Sequence, residues 1–297
     1  QTPNFTWLSY IVGGALFGVG MTLGSGCGSK TLIRVGGGNL KSVVVVIVMA
    51  ISAYMTLRGL FGAFRVGVLE QATVALAGPQ DVPSILPRLT GVDRATLAWL
   101  AVAVIGGGLA LFALASREFR QFDYLLGGIV TGLVIVAGWY VTGRIGYIEE
   151  HPDTLQEAWL ATNTGRMESL SFVAPQAFLL ELLMFWTDKS KILTFGIATA
   201  LVVVAGAFAY ALASKSFRLE AFRDSTDMLR HIVGGILMGF GGVVALGCTV
   251  GQGITGFSTL ALGSIVTFIS IIAGSAAMMK YEYWKMMNEP ELGAASA

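Results

Sequence analysis

Seven stretches of this chain, at about 8–23, 42–62, 96–115, 124–142, 192–213, 231–246 and 258–279, are apolar over close to the length that a helix needs to cross a membrane. Crossing takes roughly 20 residues at ~1.5 Å each. In lipid a spanning backbone must satisfy its own polar groups, so the pattern predicts an all-α, polytopic integral membrane protein built as one transmembrane domain over 1–297. Composition agrees: 55% of residues are hydrophobic, 12% are charged, and the mean hydropathy is +0.73. Shorter apolar runs occur around 158–164 and 170–186, and the first run lacks the cleavage pattern of a secretory signal.

The same numbers exclude several function classes. A net charge of +1 without a dense basic stretch gives no footprint for nucleic acid. Two histidines, His151 and His231, stand at no ligand spacing from a cysteine, so no metal site and no cofactor are expected. The two cysteines, Cys27 and Cys248, lie in apolar glycine-rich segments rather than in a small domain that needs a disulfide.

Those cysteines belong to an internal repeat. "YIVGGALFGVGMTLGSGC" at 10–27 aligns without a gap with "HIVGGILMGFGGVVALGC" at 231–248, and nine of eighteen positions are identical at an offset of 221. Each copy continues into a glycine-punctuated segment and a further apolar run, which gives copy one as about 10–62 and copy two as about 231–279. Gly14 and Gly18, with Gly235 and Gly239, have the small-xxx-small spacing of a close helix seam.

The glycines beside the cysteines carry a different message. "GSGCG" and "LGCTVGQG" interrupt a helix inside an apolar region, which is tolerated where the unwound backbone faces protein or a watery cavity. Broken helices at matching positions of two repeats point to a transporter's substrate site. A further interruption, "NTGRMESLSFVAP" at 163–175, is too polar to cross lipid, and makes 158–187 a re-entrant hairpin. Lys30, Arg34, Lys41, Arg117, Arg120, Lys215, Arg218, Arg223, Arg230, Lys280 and Lys285 then share one side, cytoplasmic by the positive-inside rule. The two copies run in opposite directions, as an inverted repeat, and Cys27 and Cys248 fall near the midplane.

Each cysteine is followed by a segment able to start a half-helix, "SKTLIRV" and "GQGITGF". Free N–H groups and the positive end of the dipole favour an anion there. The candidate substrate-binding and relay residues are Cys27, Cys248, Gly26, Gly28, Ser29, Gly247, Thr249, Gly251 and Gln252. Lys30 and Arg34 are candidate cytoplasmic-side cations, or mark the membrane boundary. A thiol is a weak donor with a soft, polarizable sulfur, which suits an anion with a terminal sulfur; the alternative is that both cysteines are small buried hydrophobes. Glu181 is an acid deep in an apolar run, where function or pairing is usual, and Arg166 and Glu168 are placed to pair with each other within the re-entrant loop, either as a structural pin or with Arg166 as a substrate-facing cation.

Together, "GSGCGSKTLIRVGGGNLKS", "LGCTVGQGITGFSTLALGS" and "ESLSFVAP" resemble the YeeE/YedE sulfur-transport proteins over most of the chain. The resemblance implies a multi-pass protein of the bacterial inner membrane, with loops dipping to the membrane centre. It also implies uptake of thiosulfate past cysteine thiols that hydrogen-bond it in transit, here Cys27 and Cys248, and a cytoplasmic partner resembling the sulfurtransferase TusA. Thiosulfate-uptake members carry a further cysteine in an N-terminal re-entrant segment. The given chain starts at Gln1 with two cysteines, which leaves open both a preceding segment and a two-thiol mechanism. Selenium species, sulfide and polysulfide stay open as substrates, and a membrane-embedded redox enzyme with a persulfidated cysteine stands as the alternative function.

Overall fold

The computed structural model describes residues 3–87, 91–151 and 155–288. Its main helices are α1 (Trp7–Leu23), α2 (Gly28–Gly36), α3 (Leu40–Arg58), α4 (Leu60–Leu69), α5 (Arg94–Ala115), α6 (Phe122–Ile145), α7 (Ala174–Met184), α8 (Phe195–Ala213), α9 (Ser225–Val244) and α10 (Leu262–Asn288). Counting α1 with its continuation α2 as one unit, seven of these are long and apolar enough to cross a membrane. The sheet content of the described residues is small: β1 (Asn4–Phe5) pairs antiparallel with β2 (Val74–Ala75), and β3 (Tyr147–Ile148) with β4 (Ala158–Trp159). This is an all-α polytopic architecture.

Two of the helix starts are set by capping side chains. The α3 start is fixed by Asn39, whose side chain accepts from the Ser42 amide at 2.8 Å. The α9 helix begins at Ser225, ahead of its apolar run, because the Asp224 carboxylate accepts from the Asp227 amide at 2.6 Å.

The centre is built from α1 against α9 and α10, and α9 against α3. A Cβ on Gly13 would lie 2.6 Å from the Ala245 nitrogen and 2.9 Å from the Gly241 oxygen; one on Gly234 would lie 2.6 Å from the Gly24 nitrogen and 2.8 Å from the Gly20 oxygen. These are one contact made twice, since Gly13 and Gly234, Gly20 and Gly241, and Gly24 and Ala245 all share the 221-residue offset. Gly13 meets 241–245 and Gly20 meets 234, so α1 and α9 run antiparallel. Gly14 likewise presses on Thr267 and Ser270 of α10, and Gly235 on Val45 and Val48 of α3.

One end of the molecule gathers Lys41, Glu220 and Asp227, with Lys41 Nζ 2.8 Å from Asp227 and 3.7 Å from Glu220. The opposite end carries both strand pairs and the Asp81–Arg94 ion pair at 3.4 Å.

The stretch 158–187 is a hairpin only in part. Its return arm is helical, as α7, but its first arm is β4 followed by irregular backbone to Val173. Side-chain hydrogen bonds satisfy carbonyls of that arm and tie it to distant elements. Ser169 Oγ donates to the Ile135 carbonyl at 2.9 Å, Thr255 Oγ1 to the Leu170 carbonyl at 2.9 Å, and Gln176 Nε2 to the Phe172 carbonyl at 2.5 Å. Backbone satisfied in this way survives within the protein without forming a helix.

Candidate functional site

Helix α1 stops at Gly24, the chain turns through Ser25 at φ 60°, and Cys27 becomes the N-cap of α2. The Cys27 carbonyl takes the first helical bonds, from the Thr31 amide at 2.9 Å and the Thr31 hydroxyl at 2.8 Å. Its thiol therefore sits at the open end of a nine-residue helix, with the Ser29 hydroxyl 3.2 Å from the sulfur and the amides of Ser29 and Lys30 directed back at it.

The second copy repeats this turn. Helix α9 ends at Val244, Leu246 takes φ 59° at the position matching Ser25, and Cys248 follows, fully buried. The Gly251 amide donates to the Cys248 sulfur at 3.4 Å, and the amides of Val250 and Phe172 also point at it. The continuation is the expected half-helix with a π-helical middle: the Cys248 carbonyl accepts from the Gln252 amide at 2.8 Å, Thr249 and Val250 are α-helical, Gly251–Gly256 is π-helical, and a 3₁₀ turn follows. Three glycines in six residues give it little helical propensity, and the Thr255 hydroxyl is drawn to Leu170. Copy two thus offers, like copy one, a thiol at the N-terminal end of a helical segment with backbone amides directed at it.

Both turns close on the same stretch of the irregular arm. A Cβ on Gly28 would lie 3.1 Å from the Phe172 carbonyl oxygen, and one on Gly251 would lie 3.0 Å from the Ser171 hydroxyl and 3.7 Å from the Cys248 sulfur. The Thr249 hydroxyl faces the Cys27 thiol without reaching hydrogen-bonding geometry, and its buried oxygen has no partner among the described residues. Both cysteines are free.

A cavity of about 380 Å³ reaches this centre from the end that carries β3 and β4, its walls including Trp139, Arg166, Glu168, Ser171, Gly251 and Gln252. Outward it shares Trp139, Arg166, Met167 and Thr259 with a wider cavity of about 780 Å³.

The structure gathers the predicted residues but distributes their tasks. Gly247 is buried in the second turn, packed against the Gln252 side chain. Gln252 spends its amide internally, with Nε2 donating to the Ala245 carbonyl at 2.8 Å and Oε1 accepting from Ser264 at 2.6 Å. Arg34 donates to the Ser25 carbonyl at 2.9 Å and so braces the first turn. Lys30 is exposed, its stem lying over Gly26. Glu181 is paired with Lys191 at 2.7 Å, whereas no ion pair joins Arg166 to Glu168. Ser171 and Phe172 were missed by the spacing of motifs, although both lie inside "ESLSFVAP". Among the described residues, no group of His, Cys, Asp and Glu could hold a metal ion.

Seven potential spans, two interrupted helices and a cavity ending at their breaks define a multi-pass membrane transport protein. The family model for sulphur transport matches residues 1–277, and the chain belongs to that family. It is 25% identical to the thiosulfate transporter TsuA of Escherichia coli K12, across the whole of this chain and 81% of that protein. It is 28% identical to the thiosulfate transporter TsuA of Spirochaeta thermophila, across 90% of this chain and 76% of that protein. Membership of a transporter family sets aside the enzyme alternative.

Proposed function

We propose that this protein takes up thiosulfate across the bacterial inner membrane into the cytoplasm, handing it between the thiols of Cys27 and Cys248. The observation that carries the reading is the pair of matched turns, each with a thiol among backbone amides, both closed on Ser171 and Phe172. Amide and hydroxyl donors attract the anion, while the thiol offers only a weak hydrogen bond to its terminal sulfur. A weak donor favours passage, which needs binding strong enough to enter and loose enough to leave. The cysteines act by hydrogen bonding and form no covalent intermediate.

The antiparallel α1 and α9, with contacts repeated at a fixed offset, support an inverted repeat whose two halves face opposite sides. The end that gathers Lys41, Arg218, Arg223 and Arg230 is the cytoplasmic one by its basic residues. A soluble sulfurtransferase resembling TusA receives the sulfur there, a partner that rests on the family resemblance alone.

Uptake of radiolabelled thiosulfate into proteoliposomes tests this reading. Cys27→Ser and Cys248→Ser should each lower uptake about tenfold or more, equivalent to ~1.4 kcal/mol in transit, while the protein remains monodisperse. Unchanged uptake in both variants would remove the relay.

A further inference from the structure

Arg166 and Glu168 are the charged side chains, among the described residues, that line the cavity leading to Cys248. Both sit on the irregular arm three to six residues before Ser171 and Phe172 and line the same cavity, so an anion travelling toward the second turn passes them. The Glu168 carboxylate accepts from the Thr164 hydroxyl at 3.0 Å, and no described cation lies within ion-pairing distance of it. A carboxylate on an anion's path is a paradox unless its charge is removable. With Glu168 ionised the cavity carries no net charge, and with Glu168 protonated it carries the single positive charge of Arg166.

We propose that Glu168 sets anion access to the cavity through its protonation, so that proton binding at its carboxyl and anion binding beside Arg166 favour one another. The coupling is reciprocal: an anion in the cavity raises the proton affinity of Glu168 by the same factor that a proton raises anion affinity. The proton comes from the solution on the cavity's side, no bond other than the carboxyl O–H forms or breaks, and Glu168 releases the proton to that solution when the anion moves on.

The surroundings leave Glu168 as the group free to respond. Helix α6 brings Thr142, whose hydroxyl is held between the Glu168 amide and carbonyl, and its nearby charge Arg144 is exposed. Helix α8 comes close at Gly196, where a Cβ would lie 3.6 Å from Glu168 Oε1, and contains no charged residue. Helix α7 adjoins through Pro175, and its acid, Glu181, is bound to Lys191. The Gly251–Gly256 turn carries no charge. Burial raises the Glu168 carboxyl above its ordinary value, with the Thr164 hydroxyl opposing that shift in part.

This inference rests on the reading of the protein as an anion transporter, and two measurements separate the fate of each. In proteoliposomes, thiosulfate stays a dianion between about pH 8 and about pH 5, the span over which buried carboxyls titrate. Wild-type uptake should rise severalfold as the outer pH falls. Glu168→Gln should be fast at the upper pH and nearly flat, and Glu168→Asp should keep the slope. A pH slope that survives in Glu168→Gln, or a flat wild-type profile, overturns the inference.

The second measurement uses iodide as a plain anion and Trp139, in the cavity wall, as its reporter. Acid should increase iodide quenching in the wild type, and Glu168→Gln should show the increased quenching already at the upper pH; Trp139→Phe should erase the difference. If thiosulfate uptake is absent at every pH while the quenching behaves as described, the substrate assignment falls and the Glu168 inference stands. Quenching that is the same in wild type and Glu168→Gln at all pH values overturns it.

Discussion

The Phe172 carbonyl oxygen lies 3.1 Å from the point a Cβ on Gly28 would occupy, which places the first cysteine turn in direct contact with the irregular arm. That oxygen also accepts from Gln176 Nε2, so it has little freedom to retreat. Phe172 meets both halves of the site, since its amide is directed at the Cys248 sulfur.

Gly28→Val should therefore separate the two turns without removing either thiol. Overpacking of this kind costs about 1–3 kcal/mol, which a large helical membrane protein survives. The expected result is folded protein with thiosulfate uptake lowered severalfold. Uptake at the wild-type rate would mean that contact between Gly28 and Phe172 is unimportant for transit.

Gln252 is expected to act on the second turn as a brace. Gln252→Leu removes the bonds to Ala245 and Ser264 and leaves their polar atoms buried, at about 1–3 kcal/mol for each unsatisfied group. Thermal unfolding in detergent should show a lower midpoint, and amide exchange over 245–252 should accelerate. If exchange is unchanged while uptake is lost, Gln252 contacts the substrate instead.

The Glu181–Lys191 pair gives a prediction with a sign reversal. Glu181 is 8% exposed and Lys191 29%, and both line a cavity of about 290 Å³ with Arg58. Removing one partner of a buried pair costs roughly 3–5 kcal/mol, whereas replacing both by apolar residues is often neutral. Because Lys191 retains some solvent contact, the lower part of that range or less is expected for Lys191→Met. The double variant Glu181→Leu/Lys191→Met should recover most of the loss in unfolding midpoint. Additive losses would show that the two residues act independently.

Which parts of this molecule could be read from its sequence follows from how local their causes are. The spans, the glycine seam and the matched turns at Cys27 and Cys248 come from runs and repeats within about 20 residues, and hydropathy and self-alignment expose them. The α9 start shifted because one capping bond, from the Asp227 amide to Asp224, outweighed hydropathy. The conformation of 160–173 was not legible, because its backbone partners Thr142 and Thr255 lie 26 and 85 residues from the carbonyls they satisfy. The half-helix after Cys248 was legible but its π-helical middle was not, since spacing alone does not reveal that Thr255 is held by Leu170. Ser171 and Phe172 escaped for the same reason: a short polar stretch with no periodicity reads as loop until its tertiary contacts are known.

The repeated seam supplies the last prediction. Gly13 and Gly234 occupy matching positions, and a Cβ on either would come within 2.6 Å of a backbone nitrogen, in the second turn for Gly13 and the first for Gly234. Backbone cannot swing aside as a flexible side chain can, so Gly13→Leu and Gly234→Leu must push α1 and α9 apart. Both variants should lower the unfolding midpoint by comparable amounts, with a cost of at least the ~1–3 kcal/mol typical of overpacking. By contrast, Gly106→Ala and Gly128→Ala, on α5 and α6, where nothing lies within 4 Å, should leave stability within about 1 kcal/mol of the wild type or raise it, because glycine costs about that much inside a helix. Measuring the four midpoints side by side checks the seam: a tolerated Gly13→Leu beside a damaging Gly234→Leu would show that the two copies do not share the load equally.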